Sequence, residues 1–177
     1  MELPALATVD QVAAWMQRDP AELPEGAALV LDTASAIVRR EARQNFTRGT
    51  STAVLHPHGG WVVLPQRPVI SVQEVREGGQ LVPADRWQLV RDRVRLSTDQ
   101  PVTVTYTHGY TTVPGDVLAV VLTLAGRVLS NPTDLRQESV GSVSVTYSAE
   151  TIGASLAPAD RDLLARYRKR AAVVTLR

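Results

Sequence analysis

Pro101-Val-Thr-Val-Thr-Tyr-Thr-His-Gly-Tyr-Thr-Thr-Val-Pro114 runs directly into Gly115-Asp-Val-Leu-Ala-Val-Val-Leu-Thr-Leu-Ala-Gly-Arg-Val-Leu-Ser-Asn131, joining an alternating strand, a Gly-Tyr turn and a strongly apolar helix. Val102, Val104 and Tyr106 fall on one face and Thr103, Thr105 and Thr107 on the other, the period of two of a half-buried strand. Pro114 has no backbone N–H to leave unsatisfied and has its φ already near the helical value, and Asp116 suits the positive helix end. A helix is therefore predicted to start within a residue or two of Pro114. Its apolar residues form two stripes, Val117, Val121, Leu124, Val128 and Leu118, Leu122, Ala125, Leu129, so it is either central to its own fold or covered by a neighbouring subunit.

Upstream of this stretch, from about residue 51, the pattern is also that of strands. Short alternating runs at 53–56, 61–64, 69–76, 87–90 and 94–96 are separated by Gly, Pro and Asp, with hairpin turns expected at Gly78-Gly79 and Arg91-Asp92. Before residue 51 the period is helical. Thr8-Val9-Asp10-Gln11 has the form of a capping box and predicts a short helix to about Arg18, with Ala13, Trp15 and Met16 as its apolar bulk. A second helix over about 25–44 carries Ala27, Val30, Leu31, Ala34, Ile37 and Val38 on one stripe, with Arg39, Arg40 and Arg43 near its negative end.

Downstream, Leu135 to Tyr147 alternates again, with Val143, Val145 and Tyr147 in register and Gly141 at a bend. A last helix over about 158–170 is predicted to bury Leu163, Leu164 and Tyr167 and to expose Arg161, Arg166, Arg168 and Lys169. The pattern is that of an α+β fold: a small bundle of about four helices with an inserted antiparallel β subdomain and an extended C-terminal tail. Residues 1–50 and 108–170 would form the helical core, 51–107 the insertion and 171–177 the tail.

The 177 residues are 44% hydrophobic and 21% charged, a composition that folds and buries a core. Nineteen basic residues against eighteen acidic ones give a formal charge of +1, so the chain lacks the overall basicity of non-specific nucleic-acid binders. The absence of cysteine excludes disulfides, thiol catalysis and Cys-based zinc sites. The amino terminus has no positive segment followed by an apolar one, and no apolar run reaches the ~20 residues of a membrane span, so a cytoplasmic origin without membrane association is expected.

No catalytic constellation stands out. His56 and His58, separated by Pro57, lack the spacing and further ligands of a zinc site, and His108 before Gly109 is read as orienting the turn. No Ser lies in Gly-x-Ser-x-Gly, and Gly59-Gly60 and Gly78-Gly79 lack the Lys and helix of a phosphate loop. Neither an enzyme nor a cofactor or metal is expected. The basic cluster Arg161 to Arg170 has three readings: a nucleic-acid contact, a solvated helix end, or docking onto an acidic protein surface. Trp61 and Trp87 are expected in the β core.

Several segments, taken in order, resemble the head-to-tail adaptor (head-completion or connector) proteins of long-tailed bacteriophages. They are Ala7-Thr-Val-Asp-Gln-Val-Ala-Ala-Trp-Met16, Leu64-Pro-Gln-Arg-Pro-Val-Ile-Ser-Val72, Val104 to Pro114, Glu138-Ser-Val-Gly-Ser-Val-Ser-Val-Thr-Tyr-Ser148, and Leu163-Leu-Ala-Arg-Tyr-Arg168. None carries a catalytic signature, and their order over most of the chain makes the resemblance. It implies a structural virion protein of the neck, assembled in the host cytoplasm into a ring, commonly twelvefold, between the portal and a tail-side neck or stopper protein, with DNA passing through unbound. By the same resemblance the C-terminal segment reaches the portal, with Arg170, Val173, Val174, Leu176 and Arg177 as its contacts. The stretch with Arg136, Glu138, Val143, Val145 and Tyr147 would form a ring interface or channel loop. Unlike the smaller, almost wholly helical adaptors, this chain has a β insertion, which either decorates the ring or enlarges subunit contacts. The alternative function is a nucleic-acid-binding module built on the Arg-rich last helix.

Overall fold

In the computed structural model, residues 3–131, 137–140, 143–146 and 155–168 are described. The fold is α+β, and the chain divides into a helical unit on both sides of a β unit, residues 44–112.

The helical unit begins with the capping box. The Thr8 hydroxyl accepts from the Gln11 N–H at 3.2 Å and the Gln11 side chain accepts from the Thr8 N–H at 2.9 Å, which satisfies two otherwise orphaned donors. Helix α1 (Val9–Met16) ends two residues earlier than the sequence suggests, because Gln17 turns into the left-handed conformation. Trp15, expected to supply apolar bulk, is instead 52% exposed, and Val12 and Ala13 take the inward face. Helix α2 (Ala27–Ala42) buries Ala27, Leu31, Ala34, Ser35, Val38 and Ala42, a stripe at helical spacing. Its buried Ser35 hydroxyl donates to Leu31 O and accepts from the Leu6 N–H, so one polar atom ties the N-terminal segment to the helix.

Helix α3 (Gly115–Ser130) starts immediately after Pro114 and buries Val117, Val120, Val121, Leu122, Leu124 and Ala125. Its wide apolar surface is explained within the chain, since α1, α2 and the last helix, α4 (Pro158–Ala165), all pack on it. Gly126 leaves room for Met16 of α1: a Cβ there would stand 3.7 Å from Met16 Cγ. Helix α4 stops at Ala165 and does not reach residue 170. In so short a helix one inward row suffices, and Asp160 and Leu164, four apart, supply it while Leu163 is 47% exposed, against expectation.

The β unit holds two antiparallel sheets. One, in order β1-β7-β3-β4, comprises β1 (Gly49–Leu55), β7 (Val102–His108), β3 (Val69–Glu77) and β4 (Gln80–Leu81). The other, in order β2-β6-β5, comprises β2 (Trp61–Val63), β6 (Arg93–Leu96) and β5 (Trp87–Val90). Strand β7 alternates buried and half-buried residues along its whole length, as its Val/Thr pattern dictates. Val62, Leu64, Val94 and Leu96 from the smaller sheet's side meet Val75, Val102, Val104 and Tyr106 in one core. Trp87 packs against that core, but Trp61 is only half-buried and lies under the Arg95 guanidinium at 5.8 Å. Both expected hairpin turns form, through positive φ at Gly78, Gly79 and Arg91.

Buried polar side chains close the loops of this unit. Gln44 donates to Pro65 O and accepts from the Arg67 N–H, and Gln66 accepts from the Asn45 N–H. The Tyr106 hydroxyl accepts from the Gln66 N–H at 3.0 Å. Gly109 has a φ of +97°, and a Cβ on it would come within 2.1 Å of Thr47 O. No side chain fits there, which is why the turn after β7 is glycine. Separately, β8 (Gln137–Val140) and β9 (Val143–Thr146) form an antiparallel hairpin with Glu138 opposite Val145 and Val140 opposite Val143.

Candidate functional site

Three places in the chain invite a partner, and the C-terminal end of the helical unit is the most charged. Asp116, in the first turn of α3, accepts the Tyr167 O–H at 2.7 Å and pairs with Arg166 at 2.6 Å. Arg166 also lies over the Tyr167 ring at 4.9 Å. Burial pushes the Tyr167 phenol above its ordinary value; the hydrogen bond from Arg166 opposes this and Asp116 adds to it, so it stays protonated and donates. Arg168 pairs with the Glu41 carboxylate and donates from Nε to Glu41 O at 2.9 Å. In the first turn of α4, Asp160 accepts from Arg127 at 3.0 Å and from the Ala157 N–H at 3.0 Å. The sequence pattern predicts Arg166 and Arg168 as exposed, with nucleic-acid contact, a solvated helix end and protein docking all open. Both are engaged by acids that lie far off in sequence, which lowers what they can offer to phosphate and anchors the chain at the end of α2 just before residue 169.

The second place is the β8–β9 hairpin. It brings Glu138, Val143 and Val145 onto one two-stranded ribbon. Arg136 and Tyr147 lie outside the described residues, as do Arg170, Val173, Val174, Leu176 and Arg177 of the tail.

The third place was not found from the sequence. Leu29, Val30, Thr33 and Ala34 of α2 and Leu124 and Val128 of α3 line an apolar groove of about 170 Å³. Leu29 is 70% exposed at its rim. The Thr33 hydroxyl is turned to Leu29 O at 2.9 Å, so it brings no unsatisfied group to the groove. The signal was available: Leu29, Thr33, Ala36 and Arg40 recur at i, i+4, i+7 and i+11, a second stripe beside the buried one.

The Ser and His side chains that lie close together do not form a triad among the described residues. Ser51 Oγ lies 2.8 Å from His108 Nε2, but His108 is buried at the end of β7, and no carboxylate orients it among the described residues. Burial lowers its pKa below the ordinary value. His56 and His58 are exposed on the segment between β1 and β2, and among the described residues no group of three or more His, Asp or Glu is placed to hold a metal ion. No helix among the described residues is long and apolar enough to cross a membrane.

Solved structures match this architecture over almost the whole chain. A chain in the neck of a native GTA (gene transfer agent) particle, computed with C12 symmetry, superposes with a TM-score of 0.58 at 18% identity, covering 99% of both chains. The chain shares the fold of that neck protein. A chain from the neck of the empty GTA particle, computed with C6 symmetry, gives 0.60 at 19% identity over 96% of this chain and 93% of that one. One from the virion of the native particle gives 0.58 at 20% identity over 99% of both. No protein-family model and no curated protein matches the sequence.

Proposed function

We propose that this protein is a structural neck component of a phage-like particle, an adaptor that forms a ring, twelvefold by resemblance, between the portal and the tail-side neck or stopper protein. The observation that carries this reading is the fold shared with neck chains of GTA particles over 96–99% of the sequence. The ordered motifs of the adaptor family support it independently. Residues 1–50 and 108–170 form the adaptor core in this reading, 51–107 the inserted β subdomain, and 171–177 the tail that docks on the portal through Arg170, Val173, Val174, Leu176 and Arg177. The stretch with Arg136, Glu138, Val143, Val145 and Tyr147 serves the ring interface or the channel. The near-neutral net charge of +1 suits a ring through which DNA passes without being held. Assembly takes place in the host cytoplasm, and the product resides in the virion neck without catalytic activity or cofactor.

The nucleic-acid reading loses ground because Arg166 and Arg168 are paired within the chain. Deleting Val173 to Arg177 tests the tail assignment: portal docking should be lost while the circular-dichroism spectrum and melting temperature stay unchanged. Undiminished docking would remove the tail from the site. Salt-dependent DNA binding that falls on replacing Arg166 and Arg168 would restore the alternative.

A further inference from the structure

A ring built by rotation needs two different surfaces on each subunit, a projection and a matching hollow, on opposite sides. The helical unit carries such a pair. The hollow is the α2–α3 groove, on the Leu124 and Val128 side of α3. Helix α1 packs on the Gly126 side. Positions 124 and 126 are two residues apart on a helix that turns about 100° per residue, so they face nearly opposite directions. From that opposite side α1 projects Trp15, 52% exposed although it is an indole. A groove of about 170 Å³ is close to the ~150 Å³ cavity that accommodates benzene, enough to admit much of an aromatic side chain.

The charges around the two surfaces are complementary as well. The exposed row Leu29, Thr33, Ala36 and Arg40 on α2 ends in a cation that has no ion pair among the described residues. Asp32, on the other flank of α2, interacts with Arg39. The segment that carries Trp15, from α1 through residue 22, exposes Asp10, Asp19 and Glu22 against Arg18 alone. An exposed Trp on a segment rich in exposed acids, and an apolar hollow whose rim row ends in an exposed Arg, match the aromatic anchor and charged rim of a specific interface.

We propose that neighbouring copies of this chain join head to tail through the helical unit, with Trp15 of one copy seated in the α2–α3 groove of the next. The occupant of the groove is thus a second copy, and the inference rests on the ring reading given above. The Trp15 and Leu29 side chains are both exposed, so Trp15→Ala and Leu29→Arg should leave the fold intact by circular dichroism and melting. Each variant alone, mixed with portal, should fail to form the ring seen with the unsubstituted protein. An equimolar mixture of the two retains one intact pairing, Trp15 of the L29R copy with the groove of the W15A copy, and should yield dimers by sedimentation but no rings. Since the chain has no cysteine, Ala14→Cys with Ala36→Cys and a short bis-maleimide should give a ladder of linked multimers. Full rings from either single variant, or crosslinks confined to single chains, would overturn the assignment. If the unsubstituted protein also forms no ring on the portal, the adaptor reading itself falls; if it does and the variants do too, only the choice of surfaces falls.

Discussion

The helical unit and the β unit solve the same problem of a small core in different ways. In the β unit neutral polar groups that are buried or half-buried hold the loops: Gln44, Gln66 and the Tyr106 hydroxyl bond to backbone, and Gly109 allows two backbones to touch. In the helical unit one neutral tie is buried, the Ser35 hydroxyl to Leu6 and Leu31, and the others are ionic and nearer to water: Arg127 with Asp160, Arg166 with Asp116, Arg168 with Glu41. That unit also keeps an apolar groove and an exposed Trp15. Shape specifies the β unit, and its loss should be abrupt. Many small terms hold the helical unit, which leaves it surface for partners.

The largest expected effect tests the first half of this contrast. Gly109→Ala puts a Cβ against Thr47 O at a positive φ, and should cost about 4 kcal/mol or more in chemical denaturation, or leave the chain insoluble. A melting curve like that of the parent would show that the 47–48 backbone yields. Next come core truncations: Leu64→Ala in the β unit and Leu31→Ala in α2, both buried, should each cost about 3 kcal/mol, whereas Leu163→Ala, at a site the sequence assigned to the core, should stay within about 0.5 kcal/mol. A large loss at Leu163 would restore it to the core. Asp160→Asn should cost about 2 kcal/mol, because it weakens both the partly buried Arg127 pair and the bond to the Ala157 N–H; Arg166→Ala, at a pair with a 64% exposed guanidinium, should cost no more than about 1 kcal/mol.

The smallest effect is one of pH. Unfolded His108 titrates near its ordinary value of about 6.5, while burial holds it lower in the fold, so the unfolded chain binds the extra proton first. Its contribution is therefore complete above about pH 6.5 and is lost as pH falls toward the folded value. His108→Gln should flatten the decline in melting temperature across that window, and an unchanged slope would assign it to other groups.

Local grammar was legible where one residue type decides a conformation. The Thr8–Gln11 capping box, the start of α3 after Pro114, the Gly78-Gly79 turn and the alternation of β7 all follow from single-residue physics. What could not be read were pairings between distant positions. Arg166 and Arg168 look like free cations until the fold brings Asp116 and Glu41 to them. The double stripe of α3 left open whether its own chain or a neighbour covers it; three helices of its own chain pack on it, while the groove at Leu124 and Val128 stays open. The exposed stripe beginning at Leu29 was overlooked because Leu31 and Ala34 gave a sufficient account of α2. The tail contacts from Arg170 to Arg177 lie beyond the described residues and rest on the family resemblance.

The central claim is that this chain assembles as a ring on a portal. The most direct measurement is negative-stain imaging of the purified full-length protein mixed with its portal. The account predicts a collar of repeated subunits beneath the portal, with unoccupied portals made rare at excess protein. Stable monomers that leave the portal bare at every concentration would contradict it.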